Sequence, residues 1–235
     1  MTAFSFRCIT FVPFIATCFV LEVFHHIQEI TAVNPVVTIG IFDGVHRGHA
    51  ELLNRIRSLA VLYKGESVVI TLWPHPRFVL QPDNHELRLL TSLEEKISLI
   101  RSQGIDKLLI LKFDADLANI PYDQFVKEYL VERIHARHVV VGFNHHFGKD
   151  RKGTFENLQK VARECHIEAE RLEPVIIDDM RISSSGIRHM ISEGRMDIAA
   201  KALGYPYFIT GEVVRGRQLG RTIGFPTANV QPGEP

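Results

Sequence analysis

Val36-Val37-Thr38-Ile39-Gly40-Ile41 runs directly into Phe42-Asp43-Gly44-Val45-His46-Arg47-Gly48-His49. The first six residues are mostly apolar and β-branched, with no polar alternation. That pattern suits a parallel strand buried on both faces. Gly48–Tyr63 places Ala50, Leu52, Leu53, Ile56, Leu59, Ala60 and Leu62 on one side of a helix. A strand turning through glycines into a helix is a corner of an α/β sheet. Gly44 and Gly48 let backbone approach a ligand closely. The helix start offers free N–H groups and a positive dipole end to an anion. His46 and His49 add two side-chain donors at the same place. Two imidazoles bracketing a glycine are hard to explain as packing. A zinc pair is the other functional reading, but no third ligand of obvious spacing follows.

The pattern repeats outward. Ser67–Trp73, Leu108–Phe113 and His138–Gly142 read as strands, and Ala169–Leu172 with Val175–Ile177 is strand-like. Between them, Thr91 opens a helix with Ser92 and Glu95 in a capping box. Tyr122–Val131, after Pro121, and Thr154–Cys165 read as helices. Five alternations of strand and helix imply a doubly wound parallel sheet with right-handed crossovers. Ligands of such sheets sit beyond the carboxyl ends of the strands. Gly204-Tyr205-Pro206 breaks the pattern, and Tyr207–Val214 alternates like an antiparallel strand. The expected division is an α/β domain over residues 22–205 and a short second segment over 206–235. The second is too small to close a core of its own.

Residues 1–21 differ from the rest: apolar, rich in Phe, with Arg7 as the one charge. The uncharged run Cys8–Leu21 is short for a membrane span of about 20 residues. A signal peptide or anchor, a buried extra segment, and upstream sequence translated by mistake all compete; the last agrees best with the motifs that follow. Lys+Arg and Asp+Glu are both 27, so a broad electrostatic grip on nucleic acid or anionic membrane is not expected. Three cysteines build no disulfide framework, which favours a reducing compartment.

Three more stretches carry chemistry. In Thr71-Leu72-Trp73-Pro74-His75-Pro76-Arg77, two prolines fix the backbone around one histidine at a strand end; a rigid loop with an exposed His is the plain alternative. Gly142-Phe143-Asn144-His145-His146-Phe147-Gly148 follows the His138 strand, so it shares the same rim. Aromatic and imidazole groups followed by cations suit a planar ring bearing a phosphate, and a solvated basic loop would look similar. Ile182-Ser183-Ser184-Ser185-Gly186-Ile187-Arg188 leads three hydroxyls and a guanidinium into a helix start. That composition caps helices, and it also suits phosphate oxygens.

His46-Arg47-Gly48-His49 is similar to the HxGH signature of the nucleotidyltransferase superfamily. Thr38–His49 as a whole resembles the opening of the prokaryotic bifunctional riboflavin kinase/FAD synthetase family. Thr71–Pro76 is similar to that family's TFxPHP phrase, and Gly142–Gly148 to its glycine-bounded aromatic loop. Ile182–Arg188 resembles ISSTxIR, with Ser185 in place of Thr. Gly211–Val214 through Pro226-Thr227-Ala228-Asn229 resembles the start of the riboflavin kinase barrel. Ile41 stands where the family usually has a small polar residue. His146 stands where Arg is common, which exchanges a fixed charge for a titratable one.

The resemblance implies a Rossmann-like HxGH nucleotidyltransferase fold followed by a fragment of a β-barrel domain. It implies an FMN adenylyltransferase that makes FAD and pyrophosphate from FMN and ATP with Mg²⁺ in the cytoplasm, with no nucleic-acid or membrane partner. Oligomeric state stays open. By the same resemblance His46, His49 and Arg188 are catalytic. Gly40, Phe42, Asp43, Gly44, Gly48, Ser183, Ser184 and Ser185 bind ATP. His75, Pro76, Asn144, His146 and Phe147 hold FMN. Thr227 and Asn229 serve a metal in the kinase module if that module is completed, so riboflavin phosphorylation is expected of a full-length parent and not of these 235 residues. The alternatives are a non-catalytic flavin- or nucleotide-binding fragment, or another HxGH adenylyltransferase. The nucleophile, an FMN phosphate oxygen, is largely ionised at neutral pH because its second pKa is about 6, so no general base is required.

Overall fold

The computed structural model describes residues 20–83 and 87–232. All but the last two residues of the apolar N-terminal segment therefore lie outside the described residues. The chain runs β1 (Glu22–Phe24), β2 (Val36–Gly40), α1 (Arg47–Leu62), β3 (Ser67–Trp73), α2 (Pro76–Leu80), α3 (Leu93–Ser102), β4 (Lys107–Lys112), α4 (Ala115–Ala118) and α5 (Tyr122–Gln124). A π-helical stretch, Phe125–Arg133, continues from α5. Then come β5 (His138–Val141), α6 (Phe155–Glu164), β6 (Glu168–Arg171), β7 (Ile176–Ile177), β8 (Met180–Arg181), α7 (Ser184–Ser192), α8 (Met196–Leu203), β9 (Gly211–Val214), α9 (Leu219–Thr222) and β10 (Asn229–Pro232).

Six strands form one sheet in the order β1-β4-β3-β2-β5-β6. Every pairing in it is parallel. The chain moves outward from β2 through β3 to β4, then returns to the other side of β2 to lay down β5 and β6. The order therefore reverses between β2 and β5, and that gap at the carboxyl ends is where such sheets bind ligands. The Gly40–His46 corner and the Gly142–Gly148 loop flank it.

Side-chain alternation divides the core between the two faces. Val37, Ile39, Leu109, Leu111, Val139 and Val141 pack with Phe125, Leu130, Leu158 and Val161. Val36, Val69, Leu108, Ile110 and Val140 pack with Leu52, Leu53 and Ile56 of α1 and Ile100 of α3. A smaller cluster of Leu90, Ile187, Met190, Ala199, Ala202 and Leu203 joins α7 and α8 to the loop before α3.

Three expectations differ in detail. Val175–Ile177 is not part of the main sheet; Ile176–Ile177 pairs with Met180–Arg181 in a separate antiparallel hairpin. Tyr122–Val131 is helical but mostly π-type, with Ile134 N–H bonded to the Tyr129 carbonyl at 3.2 Å. Within Tyr207–Val214 only Gly211–Val214 is a strand, paired antiparallel with β10. Thr210 is held to the first module: its N–H and its hydroxyl both donate to Glu95 Oε1 at 2.7 Å. The other oxygen of Glu95 closes the capping box expected at Ser92.

Candidate active site

Asp43 organises the corner that follows β2. It is only 3% exposed. Its Oδ1 accepts the Leu90 N–H at 2.8 Å and the Thr91 N–H at 3.4 Å. Its Oδ2 accepts Arg188 Nη1 at 2.6 Å. Ser184 donates its hydroxyl to the Asp43 carbonyl at 2.9 Å, and Gly44 N–H donates to the Thr91 hydroxyl at 3.2 Å. The Tyr205 hydroxyl donates to the Gly44 carbonyl. One carboxylate thus joins the first motif, the Leu89–Thr91 loop and the start of α7. Burial raises the Asp43 carboxyl above its ordinary value, with the Leu90 N–H and then Arg188 pulling against that. Gly44 has φ +79°, and a Cβ there would lie 2.6 Å from Leu90 Cδ1, so glycine is required for the turn itself.

His46 caps α1. Its Nδ1 accepts the His49 N–H at 3.3 Å, so the proton of the neutral ring sits on Nε2. The His49 ring stacks on it with centroids 3.7 Å apart and planes 13° from parallel. Phe42, fully buried, lies 5.0 Å from His49 and packs under Gly40. His49 is half-buried, deeper than a rim position, and its Nδ1 is enclosed without a hydrogen-bond partner. Burial, then the charge of His46 and of Lys96, holds His49 well below its ordinary pKa. Burial takes His46 to about 4. Both rings are therefore neutral at pH 7.

Arg188 also donates from Nη2 to Ser185 Oγ at 3.1 Å, while Ser183 caps α7 by accepting the Gly186 N–H at 3.2 Å. A cleft of about 460 Å³ opens beside this helix start. Arg77, Arg88, Ser185, Arg188, His189 and Tyr207 are among its walls. Three guanidinium groups around one cleft suit an anionic ligand. Arg77 closes the second motif but has no role legible there, and Arg88 and His189 carry no motif. His75 accepts the Arg77 N–H at 3.1 Å, capping α2. Burial, then the charges of Lys96, Arg188 and Arg77, lower its pKa to about 4. The second motif therefore stands close to Lys96 of α3 and to Arg188 of the fourth motif.

The third motif is less closely joined. Asn144 and His146 are exposed, and His146 Nδ1 lies 3.0 Å from the Asn144 carbonyl. Phe147 packs against Phe125, and its backbone bridges Gly153. Contact with the fourth motif's approach runs through Arg181, whose guanidinium lies 5.3 Å over the Phe143 ring. Asn229 lies in the β9–β10 ribbon and Thr227 just before it; the ribbon exposes Val213 and Val230.

The buried histidines predict acid lability. His46, His75 and His145 all titrate near 4 when folded, against 6.5 ordinarily. The unfolded chain takes up these protons below pH 6.5 and the folded chain only near 4. Their contribution is complete above pH 6.5 and is lost as pH falls toward 4; for His46 alone it is about 3 kcal/mol. Urea unfolding at pH 7 and pH 4.5 should show a clearly lower midpoint in acid. An unchanged midpoint would mean these rings are open to protons.

Residues 29–186 match the FAD synthetase family, and residues 203–235 match the riboflavin kinase family. The chain is similar to the bifunctional riboflavin kinase/FMN adenylyltransferase of Listeria monocytogenes: 36% identical over 212 residues, 88% of this chain and 65% of that protein. Identity to the Pseudomonas fluorescens protein of the same name is 37% over 196 residues, 83% of this chain and 62% of that one. The chain thus spans a little under two thirds of the length of these relatives. Among solved structures it is similar to one titled as a macrolide-efflux protein from Streptococcus pneumoniae, with TM-score 0.81 and 31% identity, over 91% of this chain and 69% of that one. Among the described residues of this chain no helix is long and apolar enough to cross a membrane.

Proposed function

Because the chain belongs to the FAD synthetase family, we propose that it is an FMN adenylyltransferase, joining FMN to the adenylyl group of ATP with release of pyrophosphate. The observation that carries this reading is the meeting of the His46–His49 helix start with Arg188 through Asp43, at the reversal point of the sheet. An FMN phosphate oxygen attacks the α-phosphorus, the bond to the β-phosphate oxygen breaks, and pyrophosphate leaves. The protein's work is to position the two phosphates and to stabilise the developing charge. His46 and His49 donate to the α-phosphate. Ser184, Ser185 and Arg188 take the β- and γ-phosphates beside the arginine-lined cleft. His75, Pro76, Asn144, His146 and Phe147 hold the flavin.

Mg²⁺ bound with ATP supplies further charge neutralisation. Asp43 is committed to Arg188 and two amides, and no group of three His, Cys, Asp or Glu side chains among the described residues is arranged for a cation. A Mg²⁺ carried on the substrate would fit such a site, because phosphate oxygens and water would hold most of it. Residues 206–235 are read as the opening of a riboflavin kinase module, with Thr227 and Asn229 as its metal and phosphate residues. A cytoplasmic location follows from the same reading.

The direct test incubates the 235-residue chain with FMN, ATP and Mg²⁺ and measures FAD and pyrophosphate. Absence of both would overturn the proposal. Arg188→Lys should separate the substrates. An ammonium is a point charge and cannot reproduce the two-pronged bridge from Asp43 to Ser185. KM for ATP should rise by about tenfold or more, the equivalent of about 1.4 kcal/mol, with FMN affinity nearly unchanged. An equal loss for both substrates would place Arg188 elsewhere in the mechanism.

A further inference from the structure

Two lysines are buried among the described residues, and they differ in company. Lys107 has Glu66 at 3.3 Å and donates to the Thr31 carbonyl. Lys96, on the first turn of α3, is 2% exposed, and among the described residues its ammonium has neither an ion-pair partner nor a hydrogen-bond acceptor. Its ammonium lies 4.8 Å over the Trp73 ring, at the carboxyl end of β3. Its charge is felt by His49 on α1 and by His75 at the cap of α2. Asp43 is the carboxylate whose field reaches it, yet Asp43 is already taken by Arg188 and two amides. Burying an unpaired cation is costly, and apolar packing would accept a Met there more readily. A cation kept in such a place is explained by an anion that arrives from outside.

Building on the proposed adenylyl transfer, we infer that Lys96 holds phosphate oxygen of the bound substrates, at the point where the FMN phosphate and the ATP α-phosphate are brought together. Two phosphates repel as they close. An ammonium between them offsets that repulsion without giving up a proton, while the new bond to the α-phosphorus forms and the bond to pyrophosphate breaks. Burial holds Lys96 at about 8, with Asp43 drawing it back up; it is charged in most molecules at pH 7 and becomes fully so once phosphate arrives.

The test compares wild type with Lys96→Met in the 235-residue chain. Trp73 is the single tryptophan of the sequence, so its fluorescence reports on its neighbour. Titrations with α,β-methylene ATP alone and with FMN alone show which phosphate Lys96 meets before reaction. Lys96→Met is expected to melt at the same temperature or higher, to bind at least one of the two ligands about tenfold more weakly, and to turn over at least 100-fold more slowly. A variant with turnover within twofold of wild type and both affinities unchanged overturns the inference, as does one that loses stability while binding normally. Should Lys96→Met fail to fold, wild type alone answers. At pH 8.5, with Asp43, His49, His75 and Arg188 as the other titratable groups around it, nucleotide binding should take up a proton, read by calorimetry in buffers of different ionisation enthalpy. Absence of uptake overturns the inference. Wild type that makes no FAD sinks the adenylyltransferase reading; active wild type beside an equally active Lys96→Met sinks this inference alone.

Discussion

His49→Ala is expected to slow FAD formation by about 10²–10³-fold, the usual cost of removing one preorganised donor from a developing anion. The ring is held from two sides, by the stack on His46 at 3.7 Å and by Phe42 at 5.0 Å, so it needs no reorganisation when substrate binds. It is kept neutral by burial, and activity should therefore be flat in pH from 6 to 8 as far as this group is concerned. Truncation removes half-buried contacts as well, so turnover should be compared well below the unfolding temperature of the variant. FMN affinity should change little. A variant retaining more than half the wild-type rate would remove His49 from the mechanism.

Asp43→Ala should be the most destabilising single change at the site, by about 3–5 kcal/mol, because it strands a partly buried guanidinium and two amides at once. That is a large share of a total stability of roughly 5–15 kcal/mol. Asp43→Asn keeps an oxygen for the Leu90 N–H but no charge for Arg188, and should fall between the two. Urea denaturation measures the loss. Amide exchange at Leu90 and Thr91 should accelerate selectively in both variants. A cost under about 1 kcal/mol for the alanine variant would mean that Arg188 finds another partner.

Asp43 also shows where reading the chain runs out. The parallel sheet is legible because its central strands are apolar on both faces, and the capping box at Ser92 and Glu95 because it is written within four residues. The bond from Arg188 to Asp43 joins positions 145 residues apart, and no local pattern encodes it. By sequence Asp43 belongs with the ATP residues; in the fold its carboxylate holds the Leu90 loop and the α7 start in place. The stretch Leu89–Lys96 resembles the family's corresponding segment, but the burial of Lys96 is hidden for a related reason, since a lysine on a helix ordinarily faces water. The π-helix is hidden by spacing: Val126, Leu130 and Ile134 recur every fourth residue, between the α-helical 3.6 and the wider π turn, so either winding buries them. The β7–β8 hairpin has two residues per strand, too few to show any period.

Strand β1 has a consequence for how the molecule is made. It sits at the sheet edge and pairs with β4 alone, Glu22 opposite Lys107. On the ribosome its partner is synthesised roughly 80 residues later, an interval of about 4–16 s at roughly 5–20 residues per second. Until then Val23 and Phe24 and the backbone groups of the strand have no place to dock. Emergence of β4 then closes two pairings at once, β1 to β4 and β4 to β3. Slower elongation anywhere between Phe24 and Lys107 lengthens the exposure and gives a holdase chaperone longer to engage the nascent edge, so the yield of folded protein in a cell should depend on codon choice in that stretch.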